Sequence, residues 1–307
     1  MPFAKEFIHN ASKLVEVKSV EADLEIVKQL VTKALRNIAK INRAIKTTAV
    51  DIYIHGSYAN ATNVYFPSNL EVCVELKITT PFEYKLTNEY YVTHDLDTTP
   101  KMFRDLLYDA LQEITQPNCS KNNKCIVLQK FGKLRHMVEI TPCVSFRYIE
   151  EDHPHIDGKG SSFAGVLLRD AGVNADIATF PKLHAKNGQT KDIRCSGNFK
   201  RMVRMFKTLN AIHTREVGTE SARGYFIECL LFNIPDQMYR GSDLDEIFLK
   251  VINYLTHADL GDSVCQNLVW HLFGNTPEFW DEDSAHRFIK MIKTMYTEFP
   301  ANRTTLA

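Results

Sequence analysis

The sequence predicts an α+β protein, with a long N-terminal helix, a sheet in the first half and a helical second half. Three observations carry that prediction. Leu24, Val27, Leu30, Val31, Ala34, Leu35, Ile38 and Ile41 fall mostly three or four apart, the spacing of one buried helix face. Two regions, 50–76 and 125–140, hold short apolar runs broken by glycine, proline and asparagine, as paired strands do. From Asn198 nearly to the end the helical period returns. The expected division is a core lobe over 1–180 and a helical lobe over 181–307.

Ser19 before Val20-Glu21 predicts the cap of the longer of two helices within 3–44. Lys28, Lys33, Arg36 and Lys40 lie off its apolar face; a solvated face and the wall of a nucleotide groove both account for them. The run Val50, Ile52, Ile54 predicts a strand leading into Gly56-Ser57, and a polar loop then leads to a second strand, Leu70–Leu76, carrying Glu71. Pro81 ends that pattern, and 88–97 reads as a mobile connection. Thr99-Pro100 opens a helix with a capping side chain and proline at its first position. After a turn-rich loop over 116–123, Cys125–Leu128 and Leu134–Ile140 predict paired strands joined at Phe131-Gly132-Lys133. The second holds Glu139 between Val138 and Ile140 and ends at Pro142-Cys143. Residues 150–197 read as loop-rich, with 180–189 crossing into the helical half.

There, Lys200, Arg204 and Lys207 share one helix face, opposite Phe199, Val203, Phe206 and Leu209. Three clustered cations repel one another, so they face open solvent or meet an anion, for which a polyphosphate is one candidate. The apolar helix over 222–235 contains one carboxylate, Glu228, which predicts a buried ion pair with Arg204 or Lys207. Helices over 242–256, 262–273 and 284–298 complete the half and, with their connections, carry the core residues Trp270, Phe273, Phe279, Trp280 and Phe288.

Composition excludes several classes. The 307 residues carry 37 basic and 37 acidic side chains, so bulk charge offers no capture of long nucleic acid. Seven scattered cysteines without a CxxC pair argue against a disulfide framework or zinc knuckle and predict reduced thiols in a cytoplasmic protein. Met1–Glu6 has no signal-peptide core, and no run approaches a membrane span. His153, His155 and His184 belong to no HExxH pattern and read as solvated or capping side chains. Cys143 has no histidine at informative spacing.

What remains is the stretch 55–76 with the strand of Glu139. A Gly-Ser turn brings backbone N–H groups against a phosphate with no side chain in the way. An acidic residue fixed on a strand nearby is where a metal serving that phosphate sits. Gly56-Ser57, a loop, then Asn69-Leu70-Glu71 on a strand resembles the signature of the DNA-polymerase-β-like nucleotidyltransferases. With Glu139, the segment Asn198–Lys207 and the segment Gly224–Pro235, residues 20–295 are similar to the CD-NTases, the bacterial cGAS/DncV-like enzymes. The similarity is strongest to compact synthases of pyrimidine- or purine-containing cyclic dinucleotides.

The resemblance implies a two-lobed nucleotidyltransferase with its active site in the cleft between lobes. It implies NTP substrates, a cyclic product signalling in anti-phage defence, and regulatory or effector proteins from the same operon as partners. Asn69, Glu71 and Glu139 would be catalytic and would hold two Mg2+ (or Mn2+) ions. Ser57 with Gly56 would touch the donor triphosphate, Lys207 would grip it, and Lys186, Lys200 and Arg204 would add nucleotide contacts. Residues near 163–190 would choose the bases.

The chain departs from the family at Asn69, Glu71 and Glu139, where aspartates are usual, and at Gly224, where serine commonly precedes the tyrosine. Three readings follow: an active synthase with a variant site, an enzyme inactivated at Asn69, and a non-catalytic nucleotide or RNA binder. The synthase is the reading adopted. RNA-tailing and tRNA nucleotidyltransferases share the core, and the neutral charge argues against them.

Overall fold

The computed structural model describes residues 5–14, 20–42, 45, 49–64, 69–77, 82–85, 99–154, 160–219, 222–274 and 279–298. Ser19, Ser68, Pro81, His155 and the segment 88–97 lie outside the described residues. The chain divides into two compact units. One comprises residues 17–55 and 69–182, the other 1–16, 56–68 and 183–307. The first sixteen residues and the Gly-Ser segment therefore group with the helical half.

The sheet unit is built on helix α2 (Val20–Ile38) and eight strands: β1 (Ala49–Ile54), β2 (Leu70–Lys77), β3 (Phe82–Lys85), β4 (Cys119–Lys121), β5 (Ile126–Leu128), β6 (Val138–Pro154), β7 (Gly160–Asp170) and β8 (Ala175–Thr179). Strand order runs β1-β2-β6-β5-β4, with β3 and β7 also on β6 and β8 on β7. At 17 residues, β6 is long enough to take two partners along each edge. On one edge β2 runs parallel to its start and β3 parallel further on. On the other, β5 pairs antiparallel with 138–140, and β7 takes over from Cys143. Pro142, which has no N–H to give, falls in that handover, so the strand continues through it.

The expectation that this strand ends at Pro-Cys is thus corrected, and with it the loop-rich reading of 150–197. That region holds the end of β6, the hairpin strands β7 and β8, and a helix over Pro181–Arg194. The polar residues of 150–162 hid a pairing that the long partner strand supports.

Register gives the sheet two unlike faces. Leu70, Val72, Val74 and Leu76 of β2, Val138, Ile140 and Val144 of β6, and Ile126 and Leu128 of β5 are fully buried on one. Next to the sheet stand α2, through Val27, Val31, Ala34 and Ile38, and α3 (Pro100–Thr115), through Phe103, Leu107 and Leu111. As predicted, Thr99 caps α3, accepting from Met102 N at 3.1 Å, with Pro100 at its start. The opposite face carries the polar side chains and thiols of the odd positions.

The helical unit contains α4 (Lys5–Ser12), the single turn α5 (Gly56–Ala59), α6 (Pro181–Arg194, which starts at the unit boundary), α7 (Asn198–Val217), α8 (Gly224–Phe232), α9 (Leu244–His257) and α10 (Glu282–Glu298). Its core gathers Phe199, Val203, Phe206, Ile227, Leu230, Phe248 and Phe288. Phe226 stacks on Trp280 at 5.5 Å. The helix expected over 262–273 is a folded loop instead. The Asn267 side chain accepts from Val269 N and Trp270 N, Leu268 takes a positive φ, and Val264 bridges to His271. Among the described residues no helix is long and apolar enough to cross a membrane.

Gly165 of β7 lies close against the end of β8. A Cβ there would lie 2.7 Å from the Phe180 ring and from the Thr179 carbonyl oxygen. Gly165→Ala is expected to destabilise the protein by about 1–3 kcal/mol through overpacking, measured as a lower denaturation midpoint at unchanged slope.

Candidate active site

The apolar face sets the geometry of the polar one. With Leu70 against Val138 and Val72 against Ile140 buried beneath, Glu71 and Glu139 are forced onto the opposite face, in register on parallel neighbours. Adjacent strands run about 4.8 Å apart. Asn69, one residue ahead of β2, donates its Nδ2 to Glu139 Oε1 at 2.9 Å. The structure thus brings the three sequence-predicted positions together. Two carboxylates directly opposite repel one another; the Asn69 amide presents its positive end to one of them and offsets part of that repulsion.

Further along the same face stands Glu75, distinguished by its company. Lys77 Nζ (2.5 Å), Lys182 Nζ (3.0 Å) and Ser145 Oγ (3.1 Å) all donate to it. Burial opposes its charge, but the two lysines outweigh burial and hold its pKa below the usual carboxylate range. Glu75 is bound up in structure.

His55, a residue that strand patterning did not single out, borders the pair. Its backbone N donates to Glu71 O at 3.0 Å, and its Nε2 lies 3.3 Å from Thr141 Oγ1. Burial opposes a charge on this imidazole, while Cys73, Glu71 and Glu139 favour one; the balance raises its pKa above the ordinary value. Its signal in the sequence was the odd-numbered period itself, continued one residue beyond β1.

The donor set suits a hard cation in kind. Glu71 and Glu139 supply carboxylate oxygens side by side, and Mg2+ keeps several waters, so few protein ligands are needed. Among the described residues, no three His, Cys, Asp or Glu side chains gather as a metal-binding group. The third member here is an amide, turned in this structure to donate.

The Gly-Ser segment and the predicted cations lie in the helical unit. Gly56 has φ +64°, a left-handed conformation that glycine adopts without strain. One helical turn follows, closed by Asn60 N to Gly56 O (3.0 Å) and Thr62 N to Ser57 O (2.9 Å). Lys200, Arg204 and Lys207 are nearly buried, which corrects the open-solvent alternative for that face. Lys200 Nζ reaches Gln189 Oε1 at 2.5 Å, and Arg204 donates to the carbonyls of Ser12 (2.7 Å) and Ala61 (2.6 Å). Lys207 pairs with Glu228 and donates to Thr62 Oγ1 at 3.1 Å. Lys186 is exposed on α6. The buried pair predicted for Glu228 is therefore formed with Lys207.

His184 corrects a second expectation. It is 5% exposed, neither solvated nor a cap, and its Nε2 lies 2.6 Å from Glu228 Oε2. Its partner is 44 residues away, and no local pattern announces that contact. Burial opposes the charge of Glu228, but Lys207 and His184 outweigh burial and hold its pKa far below the carboxylate range.

Gly224, where the family commonly has serine, touches this group. A Cβ there would stand 3.2 Å from Lys207 Cε and 3.3 Å from its Nζ, so glycine leaves the lysine its place.

Residues 186–297 match the profile of the cGAS/DncV-like nucleotidyltransferase C-terminal helical domain. The chain is 28% identical over 249 residues to a cyclic UMP-AMP synthase of Rhodothermus marinus, covering 80% of this chain and 84% of that protein. It is 27% identical over 282 residues to the cyclic nucleotide synthase CdnE01 of Staphylococcus haemolyticus, covering 86% and 89%. The fold matches the structure of the Rhodothermus marinus CdnE c-UMP-AMP synthase with Apcpp and Upnpp, at a TM-score of 0.78 and 24% identity over 97% of this chain and 98% of that one. It also matches the Elizabethkingia meningoseptica CdnE cyclic dinucleotide synthase with GTP and Apcpp (TM-score 0.74, 21% identity, 97% and 100% covered). The helical half thus carries the C-terminal domain of the cGAS/DncV-like nucleotidyltransferases, and the chain as a whole is similar to cyclic nucleotide synthases of the CdnE kind.

Two outcomes follow. Without divalent cations, Asn69→Asp should lower stability by about 1–2 kcal/mol, because a donor to Glu139 becomes a third negative charge. Mg2+ or Mn2+ should restore it, which thermal melting with and without metal will show. For Glu228, a folded pKa below the unfolded value of about 4.3 contributes stability that is present above pH 4.3 and lost as pH falls toward the folded pKa. Glu228→Gln should flatten the acid limb of stability against pH, measured by denaturant titration between about pH 3 and 7.

Proposed function

We propose that the chain is a cyclic-oligonucleotide synthase, joining two NTPs by nucleotidyl transfer into a cyclic dinucleotide that serves as a second messenger in anti-phage defence. The observation that carries this reading is the in-register pair Glu71 and Glu139, with Asn69 bonded to it, in a chain whose relatives are cyclic nucleotide synthases. ATP, GTP or pyrimidine NTPs are the substrate class, in keeping with the nucleotides bound in the structures of relatives. Regulatory or effector proteins encoded beside it would be its partners.

A ribose hydroxyl attacks the α-phosphate of an NTP, the new phosphodiester forms and pyrophosphate leaves. Mg2+ or Mn2+ bound at this site would neutralise charge developing on the phosphate. Glu71 and Glu139 would hold the cation, and Asn69 orients Glu139 through its amide. The proton of the attacking hydroxyl must go to a carboxylate oxygen or to water, because an amide cannot accept it. Gly56 would let the backbone approach a phosphate, Ser57 would bind it, and Lys186, Lys200, Arg204 and Lys207 would counter the remaining charge.

Incubation with mixed NTPs and Mg2+ or Mn2+ should yield a phosphatase-resistant product, resolved by chromatography. Glu71→Gln or Glu139→Gln should lower its rate by about a hundredfold or more. The Asn69 amide favours a second reading, a site impaired by its missing third charge. Wild type without product, and Asn69→Asp with product, would establish that reading. NTP binding without product from either protein would make the chain a nucleotide binder.

A further inference from the structure

We infer that Glu228 is a positioning residue for phosphate binding, fixing the chain that follows Gly56-Ser57 and the ammonium of Lys207 in one geometry. The inference rests on the nucleotidyl-transfer reading and extends it to residues that touch no substrate.

The Glu228 carboxylate is 3% exposed and receives four donors, about as many as its lone pairs can accept. Asn60 Nδ2 (2.8 Å) and His184 Nε2 (2.6 Å) reach Oε2; Thr62 Oγ1 (2.5 Å) and Lys207 Nζ reach Oε1. Two of these donors belong to the segment following the Gly-Ser turn. The other two come from α6 and α7, while Glu228 itself is on α8. That segment is in no strand or long helix, and backbone bonds close it into one turn. Against the helices it is held by Glu228, by Lys207 on Thr62 and by Arg204 on the Ala61 carbonyl.

His184 cannot swing away, because its ring stacks on Tyr225 at 5.1 Å and 26°. The bond to a carboxylate places its proton on Nε2. Burying a charge is costly, and a well-packed apolar residue often serves stability as well. What an apolar residue cannot do is hold four donors from three elements at fixed directions. Those donors locate a phosphate-binding turn and a lysine at one point.

The test uses the full chain with NTPs and Mg2+ and three variants. Thr62→Val is nearly isosteric and removes one donor; it should lower kcat/KM about tenfold at an unchanged folded fraction. Thr62→Ser, which keeps the hydroxyl, should remain within about twofold of wild type. Glu228→Gln faces donors with its own amide N–H and should lose about a hundredfold, with KM for NTP raised as well as kcat lowered. Near-UV circular dichroism checks folding, and where Glu228→Gln fails to fold, the Thr62 pair decides. Wild-type kcat/KM in folded Thr62→Val, or losses that only track unfolded protein, would overturn this inference and leave the synthase reading intact. If the wild type binds NTP without making product, NTP affinity becomes the readout, with the same order expected. A wild type that neither binds nor converts NTPs overturns both.

Discussion

The chemistry of the sheet unit depends on the register between β2 and β6. Nine apolar side chains of β2, β5 and β6 are sealed on one face, and a shift of one residue would turn all of β2 inside out. Holding that face fixed leaves no freedom on the other: Glu71 must stand opposite Glu139. The repulsion between them is thus a consequence of core packing, maintained by hydrophobic burial elsewhere in the same strands. Length matters equally. β6 can pair with β2 and β5 at its start and with β3 and β7 further on because it runs through Pro142, placed where the second edge changes partner.

The carboxylate pair was legible in the sequence because a strand has period two: an acidic residue flanked by apolar ones declares its face. That Glu71 and Glu139 stand on neighbouring strands was legible as well, from the resemblance of both segments to the polymerase-β-like nucleotidyltransferase signature. Thr99-Pro100 and the apolar stripe of α2 were equally plain, since capping and helical period are local. Other parts failed for a physical reason of the opposite kind. The strands after residue 150 contain polar stretches that pair because a long neighbour is present, which no window of sequence displays. The apolar run 262–273 has helical composition, yet one asparagine side chain captures two backbone N–H groups and turns it.

His184 shows the limit most clearly. As a lone histidine in a polar stretch it looked like a surface residue, and its burial follows from a carboxylate on another helix. Glu228 could be read as paired because it stood in an apolar helix, where an uncompensated charge is not tolerated. The sequence told that a partner must exist. It could not tell that there would be four.

The carboxylates of the two units differ in how their charge is compensated. Glu228 is buried, saturated with donors and held far below the carboxylate pKa range; its charge is spent on position. Glu75 is neutralised by two lysines in the same way. Glu139 stands half-exposed beside another carboxylate and takes a neutral amide from Asn69. A cation arriving there meets two negative charges and exchanges against one amide hydrogen bond, worth about 1.5–3 kcal/mol when the acceptor is charged. Asn69 is thus a modest stabiliser of the carboxylate pair, with a strength that a divalent ion would exceed. An amide at this position holds Glu139 in place beside Glu71 without any ion, where a third carboxylate would add repulsion.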